Sequence, residues 1–292
     1  MKKIAIVSCD KWMNILEEDR NLKKALNDIG LEADIISWQQ PFNKEYDLLI
    51  IRSIWGYQNN YEEFKNWLLD IKKKNILVLN DVDMILDNIK KDIQFDILKQ
   101  NDIDYINTVF ITKESLTKEE ILNYDGLNVI KPSISGSGEN TYIISNNKSI
   151  KNSIEIDEAI KKFKSIVSDN CKLMVQPFIK EINNGEYSCI FIDGVLTHTM
   201  LRFPNIFHDK KRPYLVNDVP DSVIKLANKV EKIKAFKGYV YMRVDMVMVD
   251  NIPKIMEVEL TDPDLLTKYI EDENIKDNAI KTLAKSIKRR VL

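Results

Sequence analysis

The stretch Tyr239–Leu266, YVYMRVDMVMVDNIPKIMEVELTDPDLL, decides how the rest of the chain is understood. Tyr239 to Val249 is rich in aromatic and β-branched residues, which suit a strand. Asp250, Asn251 and Pro253 supply turn chemistry, and Lys254 to Leu260 returns as a second extended run. Side chains alternate across a strand, so Tyr241, Arg243 and Asp245 share one face, as do Glu257 and Glu259 on the partner. A register with Asp245 opposite Glu257 puts Arg243 opposite Glu259. Opposed Cβ atoms then lie about 4.5–5.5 Å apart, where two carboxylates repel unless something positive lies between them. A hard divalent cation such as Mg²⁺ answers that need. An amphipathic hairpin with a solvated charged face is the plainer alternative, and a slip of one residue would put Asp245 and Glu257 on opposite faces.

Upstream of this hairpin, Gly185-Glu186 leads into a strand from Tyr187 to Ile192. Asp193-Gly194 then turns the chain into Val195 to Phe203, on which His198 and Arg202 have the same parity. Leu173 to Ile179 is a strand interrupted by Pro177 and followed by Glu181. Val129-Ile130-Lys131-Pro132 ends an apolar run on a lysine, and Ser133 to Asn140 follows as a loop of small residues. Such backbone N–H groups can converge on phosphate oxygens, although the spacing fits neither a Walker loop nor a dinucleotide fingerprint. A helix is expected from Asn88 to Gln100 with Lys90 and Lys91 in its first turn. Cations are unfavourable there, and a nearby anion would explain them, as would two plainly exposed lysines.

Residues 1 to about 85 alternate strand and helix: Ile4 to Val7, helix Glu17 to Ile29 ending at Gly30, Ala33 to Ser37, Leu48 to Ile51, helix Tyr61 to Lys74, and Ile76 to Leu79. This pattern implies a small parallel α/β layer, with ligands beyond the carboxyl ends of its strands. Arg52-Ser53-Ile54-Trp55-Gly56-Tyr57 gathers a guanidinium, a hydroxyl, an indole and a phenol at one such tip. A recognition wall and an aromatic anchor for a domain interface both suit it. Helices are also expected from Asp221 to Lys234 and from Asn274 to Lys288.

The 292 residues leave room for two or three lobes; 44% are apolar and 30% charged, enough for real cores. The net charge of −2 comes from interleaved signs, which excludes a surface built on a broad basic field for nucleic acid. The Lys285 to Arg290 cluster suits a helix C-terminus. No apolar run reaches the roughly 20 residues needed to cross a bilayer. MKKIAIVSCD is expected to be a buried strand and not a signal peptide, since Asp10 and Lys11 interrupt it. Cys9, Cys171 and Cys189 show no metal spacing and suit a reducing, cytoplasmic setting.

In order, these pieces are a lysine at a helix start, Val-Ile-Lys-Pro, a serine–glycine loop, Val-Gln-Pro-Phe with a following glutamate, Gly-Glu-x-Ser, Arg-x-Asp and Glu-x-Glu-Leu-x-x-Pro. The series resembles the ATP-grasp superfamily, closest to the glutathione-synthetase-like ATP-binding domain, over roughly Asn88 to Leu266. The resemblance implies an α/β protein with α+β lobes: a Rossmann-like pre-ATP-grasp domain over residues 1–87, a central and lid subdomain over 88–172, and a C-terminal subdomain with the Mg-ATP site over 173–292.

It further implies that Ser135, Gly136, Ser137 and Gly138 belong to a lid over the ATP phosphates. Lys131 and Lys91 would hold phosphate oxygens, with Lys90 as the alternative to Lys91. Gln176, Phe178 and Ile179 would line the adenine slot, Glu181 would bind the ribose, and Glu186 would join the nucleotide site. Arg243 would face the transferred phosphate, and Asp245, Glu257 and Glu259 would hold Mg²⁺. The position of Glu259 is usually Asn in glutathione synthetase itself, which moves this chain away from that enzyme.

The activity implied is an ATP-dependent carboxylate–amine ligase working through an acyl phosphate and releasing ADP and phosphate. Arg202 would clamp a carboxylate and His198 would accept the amine proton. The acceptor would sit with Arg52, Ser53, Trp55 and Tyr57 on one wall and Arg202 on the other. Small-molecule acid and amine substrates are expected, with no nucleic acid and no membrane, and a homodimer is compatible with this. The alternatives are a peptide- or protein-modifying ligase of the same chemistry and a non-catalytic nucleotide-binding regulator.

Overall fold

The apolar runs of the first eighty residues build a parallel sheet. Its elements are β1 (Lys3–Ser8), α1 (Glu17–Asp28), β2 (Glu32–Ser37), β3 (Leu48–Ser53), α2 (Tyr61–Lys73) and β4 (Leu77–Leu79), with strand order β2-β1-β3-β4. In this computed structural model, which describes the chain apart from residues 42–44, 137, 148–149, 151–152, 167–169 and 204–210, both faces of that sheet are covered. Ile4, Ile6, Leu48 and Ile50 pack with Leu22 and Leu26 of α1. Ala5, Val7, Leu49 and Ile51 pack on the other side with Phe64 and Leu68 of α2. Two buried faces explain why these strands are continuously apolar and do not alternate.

The expected helix from Asn88 to Gln100 is α4 (Lys91–Gln100), which starts three residues later and is preceded by a separate short helix, α3 (Val82–Asn88). The carboxylate of Asp81 accepts from Met84 N at 2.8 Å and caps α3. Lys90 then adopts extended backbone, and Lys91 N donates to Ser133 O, so Lys90 lies outside the helix and Lys91 opens it.

The second sheet comprises β5 (Val109–Ile111), β6 (Asn128–Pro132), β7 (Tyr142–Ile144), β8 (Ser153–Ile154) and β9 (Leu173–Pro177), with α5 (Lys118–Ile121) and α6 (Ile156–Ile166) between them. Its order is β5-β9-β6-β7-β8. The strand expected to begin a C-terminal part at residue 173 instead pairs antiparallel with β6 and β5. Pairing of that range is invisible to a local pattern.

The third sheet, ordered β12-β11-β10-β13-β14, contains β10 (Glu186–Ile192), β11 (Val195–Arg202), β12 (Tyr214–Leu215), β13 (Tyr241–Val249) and β14 (Ile252–Glu259). Both hairpin turns have two left-handed central residues, Asp193 and Gly194 at φ 52° and 81°, and Asp250 and Asn251 at φ 50° and 63°. Asp, Asn and Gly tolerate that region, and the resulting twist matches the flanking strands. The register places Asp245 opposite Glu257 and Arg243 opposite Glu259, with a bulge after Asp245.

The helices α7 (Asp221–Glu231) and α8 (Glu273–Val291) complete the chain's regular structure. Leu283 and Ile287 of α8 share a core with Leu26, Ile190, Met200 and Tyr241, joining the first and third sheets. The basic cluster near residue 290 lies in α8, where Arg289 and Arg290 both pair with Asp193. No helix among the described residues is long and apolar enough to cross a membrane.

Candidate active site

The carboxylates of β14 are fixed from outside their own sheet. β14 is an edge strand, and amide side chains from α3 and α4 occupy its free backbone groups. Gln94 Nε2 donates to Val258 O at 2.7 Å, and Val258 N donates to Gln94 Oε1 at 2.8 Å. Asn88 Nδ2 donates to the same carbonyl at 2.8 Å, and Leu260 N donates to Asn88 Oδ1 at 2.8 Å. Asn80 extends the pattern by donating to Tyr241 O and Leu260 O and accepting from Val240 N. Val258 lies between Glu257 and Glu259, so these bonds hold both carboxylates against the helix that carries Lys91.

Lys91 Nζ reaches Glu257 Oε1 at 3.1 Å and donates to Ser135 O at 2.7 Å, tying α4, β14 and the small-residue loop together. Burial would raise the Glu257 carboxyl, yet Lys91, Lys131 and Arg243 pull it down to about 2. Lys131 is pushed below the usual lysine range by burial, and the nearby charge of Lys91 adds to this. Arg243 holds Asp245 with two parallel contacts, Nε to Oδ1 at 3.0 Å and Nη2 to Oδ2 at 3.0 Å. Arg202 Nη2 contacts Asp245 Oδ2 at 2.6 Å and Glu186 Oε1 at 2.5 Å, while its Nε donates to Ser188 Oγ. Burial raises Glu186 despite the compensating charge of Arg202.

These groups line a cavity of about 670 Å³ between the sheets. Of the residues expected at a site, Trp55, Tyr57, Lys91, Lys131, Ser135, Gly136, Gly138, Gln176, Phe178, Ile179, Glu186, Arg202, Arg243, Asp245, Glu257 and Glu259 line it. The apolar end is built by Ile106, Val129, Phe178, Ile179, Ile182 and Met256, beside Gln176, whose Nε2 is bound to Thr108 Oγ1. Ser137 lies outside the described residues.

Other expected residues sit elsewhere. His198 is buried, with Nε2 at 2.7 Å from Leu265 O and Nδ1 at 3.0 Å from Thr197 Oγ1, and burial lowers its proton affinity. It is a satisfied core histidine beside the cavity wall. Arg52 is buried against Glu18 and Asp19 and donates to Pro263 O. Ser53 Oγ bonds Asp19 and Ser8. These side chains brace the first sheet against the loop after β14, whereas Trp55 and Tyr57, further along the same tip, reach the cavity. Glu181 lies in a short 3-10 turn, Lys180–Asn184, and does not line the cavity, unlike its neighbours Ile179 and Ile182. Lys90 is likewise absent from the lining, leaving Lys91 as the helix-start lysine that reaches it.

Sequence reasoning passed over Trp12, Asp262, Asp264 and the amide clamps. Asp262 and Asp264 lie in the exit Thr261-Asp262-Pro263-Asp264, which was legible only as a turn. Asn80, Asn88 and Gln94 carried a signal in principle, since each is a polar residue that packs fully into a core.

The carboxylate pair asks for further positive charge. Glu259 is raised by burial and by the charge of Glu257, although it accepts from Thr261 N at 2.9 Å. Among the described residues, no three His, Cys, Asp or Glu side chains are grouped to hold a metal ion as they stand, and both oxygens of Asp245 are engaged by arginines. The donor chemistry itself, oxygen only and rich in carboxylate, fits a hard divalent cation.

The N-terminal domain family described as D-cycloserine synthetase DcsG, N-terminal domain, matches residues 4–80. D-alanine–D-alanine ligase A of Bacillus cereus is 28% identical over 180 residues, covering 55% of this chain and 56% of the relative. The chain thus spans about half the length of the curated relatives it matches. Among solved structures, D-cycloserine synthetase DcsG superposes with TM-score 0.81 at 16% identity, over 99% of this chain and 100% of that one. The RimK domain ATP-grasp protein of Sphaerobacter thermophilus gives 0.72 at 13% identity, over 97% and 98%. The D-alanine–D-alanine ligase of Bacillus anthracis complexed with ATP gives 0.66 at 17%, over 99% and 98%. The chain thus shares the fold of these proteins, an ATP-grasp fold.

Proposed function

We propose that the chain is an ATP-dependent carboxylate–amine ligase that joins two small molecules through an amide bond, releasing ADP and phosphate. The observation that carries this reading is the convergence of Lys91, Lys131, Arg243, Glu257 and Glu259 on one cavity beneath the loop from Ser133 to Asn140. The ATP complex of a structurally similar D-alanine–D-alanine ligase supports it. Phosphoryl transfer asks chiefly for positioning and charge neutralisation, and these side chains provide both.

In this reading the purine occupies the apolar end beside Phe178, Ile179 and Met256, and Lys91 and Lys131 take phosphate oxygens. Asp245, Glu257 and Glu259 would hold Mg²⁺, which supplies charge neutralisation on the transferred phosphoryl group. Arg243 orients that group, and Arg202, freed from one of its two carboxylates, positions the substrate acid. The acid attacks the γ-phosphate to give an acyl phosphate, and the amine then displaces phosphate. The small-residue loop excludes water, which would otherwise hydrolyse the intermediate. Gln58 Nε2, from the N-terminal lobe, donates to Glu139 Oε2 at 2.7 Å and holds the loop down.

A division into three parts, the second extended to take in β9 (Leu173–Pro177), and a place in a reducing cytoplasm belong to the same proposal, the latter supported by three free, buried cysteines. A phosphate-release screen of amino and hydroxy acids paired with amines, with ATP and Mg²⁺, tests the function. Turnover with a small acid is expected. ATP binding without turnover on any pair would favour a nucleotide-binding regulator instead.

A further inference from the structure

One end of the cavity is walled by rings that the proposed reaction leaves unused. Trp12, in the loop after β1, and Trp55, at the tip after β3, both line it. They meet edge to face with centroids 5.4 Å apart, and both stay partly exposed. Trp55 is fixed by its Nε1, which donates to Asp262 O at 3.4 Å. Tyr269 lines the same cavity, with Lys268 Nζ 4.9 Å and Arg212 5.9 Å from its ring centroid. Lys268 and Trp55 also share a side cavity of about 30 Å³, so this phenol and the indoles are neighbours. All three rings border the exit after β14, whereas Phe178 and Ile179, the walls assigned to the purine, follow β9. This second aromatic set is free to receive another molecule.

The charges beside the rings set the sign of that molecule. Trp55 Nε1 and Arg243 Nη1 hang on carbonyls two residues apart, the second being Asp264 O at 3.2 Å. A ring lying on the indoles can thus carry an attached carboxylate to Arg243 and to Arg202, which shares Asp245 with it. Lys11, 5.2 Å from the Trp12 centroid, and Arg212 add positive charge at the same end. We propose that the acid substrate is an aromatic carboxylate, its ring held by Trp12 and Trp55 and its carboxylate directed at the two arginines. The proposal rests on the ligase reading for its setting and names the class of acid that site takes. Aromatic pairs gain from ring geometry beyond the area they bury, so a saturated ring of equal size is held less well.

The test is a ligand-observed NMR titration of the full chain with benzoate, cyclohexanecarboxylate and acetate, in the presence of ADP and Mg²⁺. Wild type is expected to hold benzoate about 2- to 10-fold more tightly than cyclohexanecarboxylate, with acetate weakest. Trp12→Leu and Trp55→Leu should each remove most of that preference, and Trp55→Phe, which keeps a ring, should retain it. Trp12→Leu carries the test should loss of the Trp55 bond to Asp262 O disturb the fold. The ratio of the two ring acids is the readout, since a merely structural role for the indoles would weaken both alike. Absent benzoate binding, equal binding of the two ring acids, or a preference that survives both leucine variants overturns the proposal. A parallel calorimetric titration with ATP separates the two readings. Failure of ATP to bind sinks the ligase, whereas ATP binding without a ring preference sinks the aromatic acid alone.

Discussion

Replacing Arg202 by Met tests the electrostatics of the site independently of any substrate. Arg202 is the cation in contact with Glu186, whose side chain is 6% exposed, and it shares Asp245 with Arg243. Removing one partner of a buried pair costs about 3–5 kcal/mol, because the remaining charge is left uncompensated. Arg202 is itself 27% exposed, so water can enter, and the lower end, about 3 kcal/mol, is the better expectation. At about 2.1 cal/mol/K per residue, a chain of 292 residues has an unfolding entropy near 0.6 kcal/mol/K, giving a fall in Tm of about 5 °C.

The sign with pH follows from Glu186, which burial already raises. Without Arg202 it is raised further, so the native state of the variant binds the proton more readily than the unfolded chain. The deficit is therefore largest at neutral pH and shrinks as pH falls toward the folded value. Thermal and urea unfolding of Arg202→Met, Glu186→Gln and the double variant would measure this. The double variant should recover most of the lost stability, since no buried charge is then stranded. A double variant as unstable as Arg202→Met would refute the account and assign the loss to packing.

Gln94→Leu removes the acceptor of Val258 N and one of the two donors to Val258 O at nearly constant volume, and should cost about 1–3 kcal/mol in urea unfolding; a loss under about 0.5 kcal/mol would show the edge clamp to be dispensable. Lys131→Met should raise the ATP Kd at least tenfold by calorimetry while the melting temperature changes little. For Glu257, whose folded value is lowered from 4.5 to about 2, the stabilising contribution is present above pH 4.5 and lost as pH falls to about 2. It amounts to about 3 kcal/mol, so Glu257→Gln should show a flatter stability profile across that window. Chelation of divalent cations should abolish turnover and leave the melting temperature of the nucleotide-free protein unchanged.

Local patterns carried the hairpin well. Its strands and turn were legible from Asp250, Asn251 and the period-two alternation of charge. A two-residue turn alone sets Asp245 opposite Met256, however, and the bulge after Asp245 produces the pairing with Glu257. The first sheet was legible because its apolar runs end at Gly30 and at the Arg52 tip. What escaped were facts of long range. Arg52 and Ser53 promised a recognition wall, yet Glu18 and Asp19 on α1 claim them, and no spacing announces that pairing. His198 has the parity of Arg202, but a bulge opposite it in β10 and the carbonyl of Leu265 put it in the core. The separate helix α3 starts on Asp81 as its cap, and at the break before α4 Ser133 O receives Lys91 N, neither of which a periodicity count detects.

The amide clamps on β14 also bear on when the site comes into being. Asn80, Asn88 and Gln94 grip partners 160 to 180 positions later in the chain. A hairpin such as β13–β14 zips in about 1–10 μs, whereas contacts of such sequence separation wait for slow loop closure. During synthesis the three amides emerge long before the backbone they are to hold. Glu257 and Glu259 thus gain their final spacing to Lys91 only when the first and last thirds of the polypeptide have met. Recovery of nucleotide affinity during refolding would then time the end of assembly, trailing the return of helical and strand signals.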